Sequence, residues 1–157
     1  MGSKSGEMGL RKISPVEAYK MLKDNLEHTF LIDIRTRPEY EFVGHLPLAY
    51  NIPYEFWTPE GNKKNSNFVE DVSEKFRKDD VLIIMCRSGD RSRLACEDLE
   101  KASFKHVFDV PAGFEGKKVE NKGSIYYGYH RRINGWQHDG LPYTYNINPR
   151  LSYKKKI

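Results

Sequence analysis

The run Cys86-Arg87-Ser88-Gly89-Asp90-Arg91-Ser92 places one thiol at the head of a short segment rich in arginine, serine and glycine. It lies between an apolar run, Val81 to Met85, and a helical pattern that begins near Ser92. A tight loop of this kind can turn several backbone N–H groups toward one point and form an anion nest. The helix that follows directs its positive end at the same point. Gly89 permits the backbone torsions such a cradle needs, and Arg87, Arg91 and Arg93 add positive charge. An ordinary thiol has a pKa of about 8.5, so about 3% is ionised at neutral pH. A fall of about two units would make roughly three quarters of it thiolate. Cys86 is therefore expected to be a reactive thiolate, with Arg87, Ser88, Gly89, Asp90 and Arg91 as its cradle. That chemistry needs the sulfur within reach of solvent and the neighbouring amides turned toward it.

The charge pattern also narrows the substrate. A thiolate repels an anion unless cations offset the repulsion, so Arg87 and Arg91 suit a sulfur-bearing oxyanion such as thiosulfate. Attack on the outer sulfur would expel sulfite and leave a persulfide on Cys86. Cyanide or a thiol would collect that sulfur in a second, ping-pong step. Neither step needs a general base, so the lack of a histidine beside Cys86 in the sequence does not count against the scheme.

The surrounding pattern must position this loop. Short apolar runs alternate with helical patterns, which predicts an α/β fold with a mostly parallel central sheet flanked by helices. Ser14-Pro15-Val16-Glu17 has the form of a capping box with proline at the first helical position. Tyr19, Leu22 and Leu26 then share one face. Thr29–Ile34 reads as a buried strand, and Arg37–Tyr40 as the start of a short helix. Gly44–Pro47 reads as a turn and Ala49–Ile52 as a short strand. Residues 55–66 are polar and turn-rich. Asn67–Phe76 reads as a helix with Phe68, Val69, Val72 and Phe76 inward. Val81–Met85, the most apolar run, reads as a central strand ending at Cys86. In open α/β sheets ligands gather at that end of the strands. Ser92–Ala102 reads as a helix and His106–Val110 as a strand. Residues 117–132 are basic and tyrosine-rich, and turns surround Trp136.

Composition bounds the alternatives. The 157 residues suit one domain, and 38% hydrophobic with 31% charged residues predicts a folded, soluble chain. The formal charge is +4, and Lys154, Lys155 and Lys156 account for most of it. They read as a solvated basic tail rather than a nucleic-acid patch. Two cysteines are too few for a disulfide framework and do not match a zinc pattern, so no metal and no cofactor is expected. No stretch is long enough to span a membrane. Residues 1–11 read as a loose terminus or a cloning remnant, with no secretory leader in them.

These motifs, in this order, resemble the rhodanese-type single-domain sulfurtransferases. The matching pieces are Ile32-Asp33-Ile34-Arg35 with Glu39-Tyr40, Gly44-His45-Leu46-Pro47 with Ala49-Tyr50-Asn51-Ile52-Pro53, and Asn67-Phe68 with its helix. Met85 to Ser92 and Gly113-Phe114 complete the set. The resemblance covers about residues 12–116, with an echo at 134–143. It implies a rhodanese-like fold in which Cys86 carries the persulfide and residues 87–91 cradle it, with Asp33, Arg35 and Ser92 in support. The implied domain spans 12–143, interrupted by an insertion at 117–133 and followed by a basic tail at 144–157. The insertion makes the chain most like longer bacterial members, many of them exported, which leans toward a periplasmic protein whose leader has been removed. It also raises the question of whether Tyr126, Tyr127, Tyr129, His130 or Arg132 lines the entrance.

Each of these residues also has a plainer reading. Cys86 could be a buried structural cysteine, and Cys96 is expected to be core packing. Arg87 and Arg91 could be surface charges paired with Asp90 or Glu97. Asp33 and Arg35 could be no more than a buried ion pair. His45 and His106 are expected to be structural, and Trp57 and Trp136 to be packing or lid residues. A phosphatase on the same fold would need an arginine where Ser92 stands. A non-catalytic persulfide carrier, docking to a sulfur-relay protein through 117–157, would use the same thiolate.

Overall fold

The computed structural model describes residues 11–155. Residues 1–10 of the expected loose terminus lie outside the described residues, and Arg11 already belongs to a strand. The chain runs β1 (Arg11–Lys12), α1 (Pro15–Asp24), β2 (Thr29–Asp33), a π-helical turn (Glu39–Val43), β3 (Tyr50–Asn51), β4 (Glu55–Thr58) and β5 (Gly61–Lys64). It continues through α2 (Phe68–Lys75), β6 (Val81–Met85), α3 (Asp90–Lys101) and β7 (His106–Asp109). Five strands form a parallel sheet in the order β1-β7-β6-β2-β3, with β6 at its centre.

Strand alternation sorts β6 onto two cores. Leu82 and Ile84, with Cys86 next in phase, face a cluster built by α2 and α3 from Phe68, Val72, Ala95, Cys96 and Leu99. Ile83 and Met85 face the other cluster, with Ala18 and Leu22 of α1 and the wholly buried Phe114 and Trp136. A strand covered on both faces is apolar throughout, which is why Val81–Met85 is so legible. It is also why the loop after it starts from a rigid base.

The capping box at α1 is complete: Glu17 N–H donates to Ser14 Oγ at 3.1 Å and Ser14 N–H to Glu17 Oε1 at 2.7 Å. The helix ends at Asp24, so Leu26 lies beyond it and is exposed instead of joining the face of Leu22. The expected polar loop at 55–66 is an antiparallel hairpin, β4 with β5. Every residue of β5 is exposed, so no inward face marks it in the sequence. The edge strand β1 is two exposed basic residues and is silent for the same reason.

The C-terminal segment departs from the expected solvated tail. His45 and Thr144 exchange backbone hydrogen bonds, and Leu151 O accepts from Asn51 N–H at 2.9 Å. Tyr153 is 7% exposed and donates its hydroxyl to Asp71 at 2.7 Å. Lys155 reaches Asp71 at 2.7 Å and Glu74 at 2.8 Å. An apolar ring and a buried carboxylate on α2 hold the segment down. Among the described residues, no helix is long and apolar enough to cross a membrane.

Candidate active site

Cys86 follows the last residue of β6, and its side chain lies beneath the loop that enters α3. Gly89 N–H donates to its Sγ at 3.2 Å and Ser92 N–H at 3.3 Å. The first N–H groups of a helix have no partner inside the helix; here two N–H groups at the start of α3 are given to one sulfur. Because α3 begins at Asp90, two residues earlier than the pattern suggested, Asp90, Arg91 and Ser92 belong to its first turn rather than to the loop. The amides are therefore turned inward, as a sulfur anion requires.

Access differs from expectation. Cys86 is 1% exposed, so an incoming sulfur must displace one of these contacts or part the loop. The loop is held tightly. Gly89 has φ +106°, and a Cβ there would lie 2.3 Å from Pro111 O. Gly113 has φ +75°, and its Cβ would lie 2.3 Å from Arg87 O. Both positions exclude any side chain. The carbonyls of Cys86 and Arg87 accept from Phe114 N–H at 2.8 Å and Glu115 N–H at 2.9 Å, which ties the loop to the segment after β7.

Asp33 and Arg35 sit behind the loop, both fully buried. Arg35 donates to Asp33 Oδ1 at 2.9 Å through Nε, and through Nη2 to Asp33 Oδ2 and Gly44 O at 2.6 Å each. Among the described residues its Nη1 has no hydrogen-bond acceptor, and the guanidinium lies 4.2 Å from the centre of the Phe114 ring. Phe114 is the residue whose N–H holds Cys86 O, so the pair bears on the loop through that ring. Asn51 completes the support: its Nδ2 donates to Asp33 O and Arg35 O, each at 3.0 Å. The sequence pattern contains Asn51 but points to no role for it.

Neither Arg87 nor Arg91 is a free cation, and neither pairs with Asp90 or Glu97. Arg91 makes a two-pronged ion pair with Glu39 of the π-helical turn, at 2.8 and 3.1 Å. Thr36 N–H and Oγ1–H also donate to Glu39, both at 3.0 Å. Burial works to raise the Glu39 pKa, but Arg91 and Thr36 outweigh it and hold the carboxyl at about 2. Burial likewise works against the Arg91 charge; Glu39, and to a lesser degree Cys86, overcome it and push its pKa up. Arg87 pairs with the buried Glu115 at 3.1 Å, and Arg131 of the insertion reaches the same carboxylate oxygen at 3.1 Å. Ser88 O accepts from Lys117 Nζ at 2.6 Å. Arg93 pairs with Glu97 on the exposed face of α3. Glu39, Glu115 and Lys117 are thus charged neighbours of this region that spacing alone did not reveal.

The Glu39–Arg91 pair makes a pH-dependent contribution. The folded-state pKa of Glu39 lies below the ordinary value of 4.5. Its stabilisation is therefore fully present above about pH 4.5 and is lost as pH falls toward 2. The shift corresponds to about 3 kcal/mol as an upper bound. In urea unfolding at pH 7, Glu39→Gln is expected to lose about 2–3 kcal/mol. The gap to the wild type should narrow by about half as the pH is lowered to 3. A gap that does not change with pH would contradict this.

Among the described residues, no hydrogen bond links the remaining candidates to Cys86. Cys96 is 1% exposed, and burial, then Asp109, pushes its thiol pKa well up. His45 stacks on Tyr40 at 3.8 Å, with its ring nitrogens 2.8 Å from Tyr40 O and 3.0 Å from Asn146 O. Trp136 is buried and donates to Pro142 O, while Trp57 is exposed on the hairpin. In the insertion, Tyr126, Tyr127 and Tyr129 are exposed, Arg132 lies over Tyr126, and His130 contacts Gly116 O. Lys117 and Arg131 are the residues of this segment that reach the loop or its Glu115 anchor.

Comparison with known proteins agrees with this architecture. The family described as Rhodanese-like domain matches residues 14–119. The senescence-associated protein DIN1 of Raphanus sativus is 41% identical over 83 residues, 53% of this chain and 45% of its own length. The chain thus spans about half the length of the first curated relatives it matches. An uncharacterized protein of Rickettsia conorii, RC0915, is 29% identical over 141 residues, 88% of this chain and all of that one. The crystal structure of Rv0390 from M. tuberculosis superposes with a TM-score of 0.73 at 28% identity, covering 88% of this chain and 99% of the other.

Proposed function

The chain belongs to the rhodanese-like domain family, and from that premise we propose that it is a sulfurtransferase working through a persulfide on Cys86. The observation that carries this reading is the pair of amides, Gly89 N–H and Ser92 N–H, aimed at Sγ. They stabilise negative charge on that sulfur at the positive end of α3. In the first step the Cys86 thiolate attacks the outer sulfur of thiosulfate or a related donor. A new S–S bond forms, the bond to the sulfonate sulfur breaks with its electron pair, and sulfite leaves. In the second step cyanide or a thiolate attacks the outer sulfur of the persulfide. The S–S bond on Cys86 breaks, the thiolate returns, and thiocyanate or a new persulfide departs. Neither step consumes a proton at the enzyme.

Burial of Cys86 assigns the loop a further task. The loop 87–89 parts to admit the donor, then closes over the persulfide and shields it from water. Asp33, Arg35, Asn51 and Phe114 hold the frame against which it moves, and Ser92 lends its N–H.

Steady-state kinetics with thiosulfate and cyanide test this reading. Parallel lines in double-reciprocal plots are expected, as a covalent intermediate requires. An absence of turnover, combined with rapid transfer from a partner's persulfide, would mark Cys86 as a carrier that docks to a relay protein. Aryl phosphate turnover that vanishes in Cys86→Ser would instead revive a phosphatase. The latter has little support, because Ser92 occupies the position where such a loop needs its arginine.

A further inference from the structure

The geometry points to Lys117, backed by Arg131, as the anion-selecting element of the Cys86 site. This goes beyond the sulfur-transfer reading, and rests on it only for the identity of the donor. The sequence assigned anion recognition to Arg87 and Arg91, but both are engaged. Glu39 neutralises Arg91 with two hydrogen bonds, and Arg87 is held by Glu115. Lys117 Nζ sits on the loop itself, 2.6 Å from Ser88 O and 3.0 Å from where a Gly89 Cβ would stand. Among the described residues it makes no ion pair with a carboxylate. The one hydrogen bond of Nζ is to a neutral carbonyl, so no hydrogen-bonded carboxylate offsets its charge.

The insertion supplies a second surplus. Arg87 and Arg131 share a single carboxylate oxygen, Glu115 Oε1, at 3.1 Å each. Two positive charges on one negative charge leave a net of one. Arg131 is held there by the backbone as well, since its N–H donates to Glu115 O at 2.8 Å. The opposing charges are Asp90, exposed at the start of α3, and Asp109, buried at the end of β7. Residues 117 and 131 thus supply the positive charge that offsets these carboxylates on the rim next to Ser88 and Gly89. Lys117 lies near the end of the residues that the family model matches, and Arg131 lies beyond them. A donor with an oxyanion end would place that end on this rim while its outer sulfur enters the loop.

Alkylation of Cys86 tests the idea without any sulfur-transfer assay. Iodoacetate and iodoacetamide react alike, the thiolate forming a C–S bond as iodide leaves, but only the first is an anion. The readout is the ratio of their rates in the wild type, Lys117→Met and Lys117→Arg. Lys117→Met is expected to lower the iodoacetate-to-iodoacetamide ratio about three- to tenfold. Lys117→Arg should keep the wild-type ratio, and Arg131→Met should lower it. Raising salt should bring the wild-type ratio toward that of Lys117→Met. In turnover, KM for thiosulfate should rise by more than kcat falls in Lys117→Met. An unchanged ratio in Lys117→Met would overturn the assignment and leave the sulfurtransferase reading standing. A wild-type Cys86 inert to both reagents and to thiosulfate would overturn both.

Discussion

Cys86→Ser is expected to lose sulfur transfer from thiosulfate to cyanide by about three orders of magnitude or more. The hydroxyl is nearly the size of the thiol and can still accept from Gly89 N–H and Ser92 N–H. Loss of activity in a chain that folds would therefore assign the chemistry to the sulfur atom. The stability cost should be about 1–2 kcal/mol, that of a slightly more polar atom in a buried place. Cys96→Ala makes the contrast. That thiol lies in the core between α3 and the sheet, and burial keeps it protonated. Its removal should cost packing energy and leave turnover close to wild type. Circular dichroism melts and the cyanide assay on the two variants give both readings. Turnover that survives in Cys86→Ser would remove the proposed mechanism.

The second large effect concerns the frame behind the loop. Arg35→Met should destabilise the protein by about 3–5 kcal/mol, because it leaves the Asp33 carboxylate buried with no countercharge. Gly44 O loses its donor, and Phe114 loses the cation on its ring. For a chain of this size that is a fall in melting temperature of roughly 6–20 °C. The cost arises from the stranded charge rather than from the worth of the pair. Adding Asp33→Leu to Arg35→Met should therefore recover part of it. Differential scanning calorimetry of the single and double variants measures the difference. A double variant no better than the single would place the cost in lost packing instead.

How much of this was legible in the sequence depends on where each signal lay. Val81–Met85 announced β6 to the residue, because a strand buried on both faces is an unbroken apolar run. Cys86 at its end, with Gly89 three residues on, announced the loop. The capping box announced α1. The hairpin of β4 and β5 did not show, since β5 is wholly exposed and carries no alternation. The tail did not show either, because Tyr153 binds by a single ring and a hydroxyl that have no period.

The larger gap was electrostatic. Arg87 and Arg91 looked like free cations because their partners are far away in the chain. Glu39 precedes Arg91 by 52 residues, and Glu115 comes after β7. Spacing rules find partners a turn away, at i+3 or i+4, as with Arg93 and Glu97. They cannot find pairs that only the fold brings together. The same limit hid Lys117, whose meaning rests on its distance from Ser88 O rather than on its neighbours in sequence.

The account stands on whether Cys86, 1% exposed beneath its loop, can take up a sulfur atom. Intact-protein and peptide mass spectrometry after brief exposure to thiosulfate measures this directly. The expected result is a gain of one sulfur atom, confined to the peptide that contains Cys86 and removed by cyanide. A mass unchanged by thiosulfate, or an added sulfur found on Cys96 instead, would contradict it.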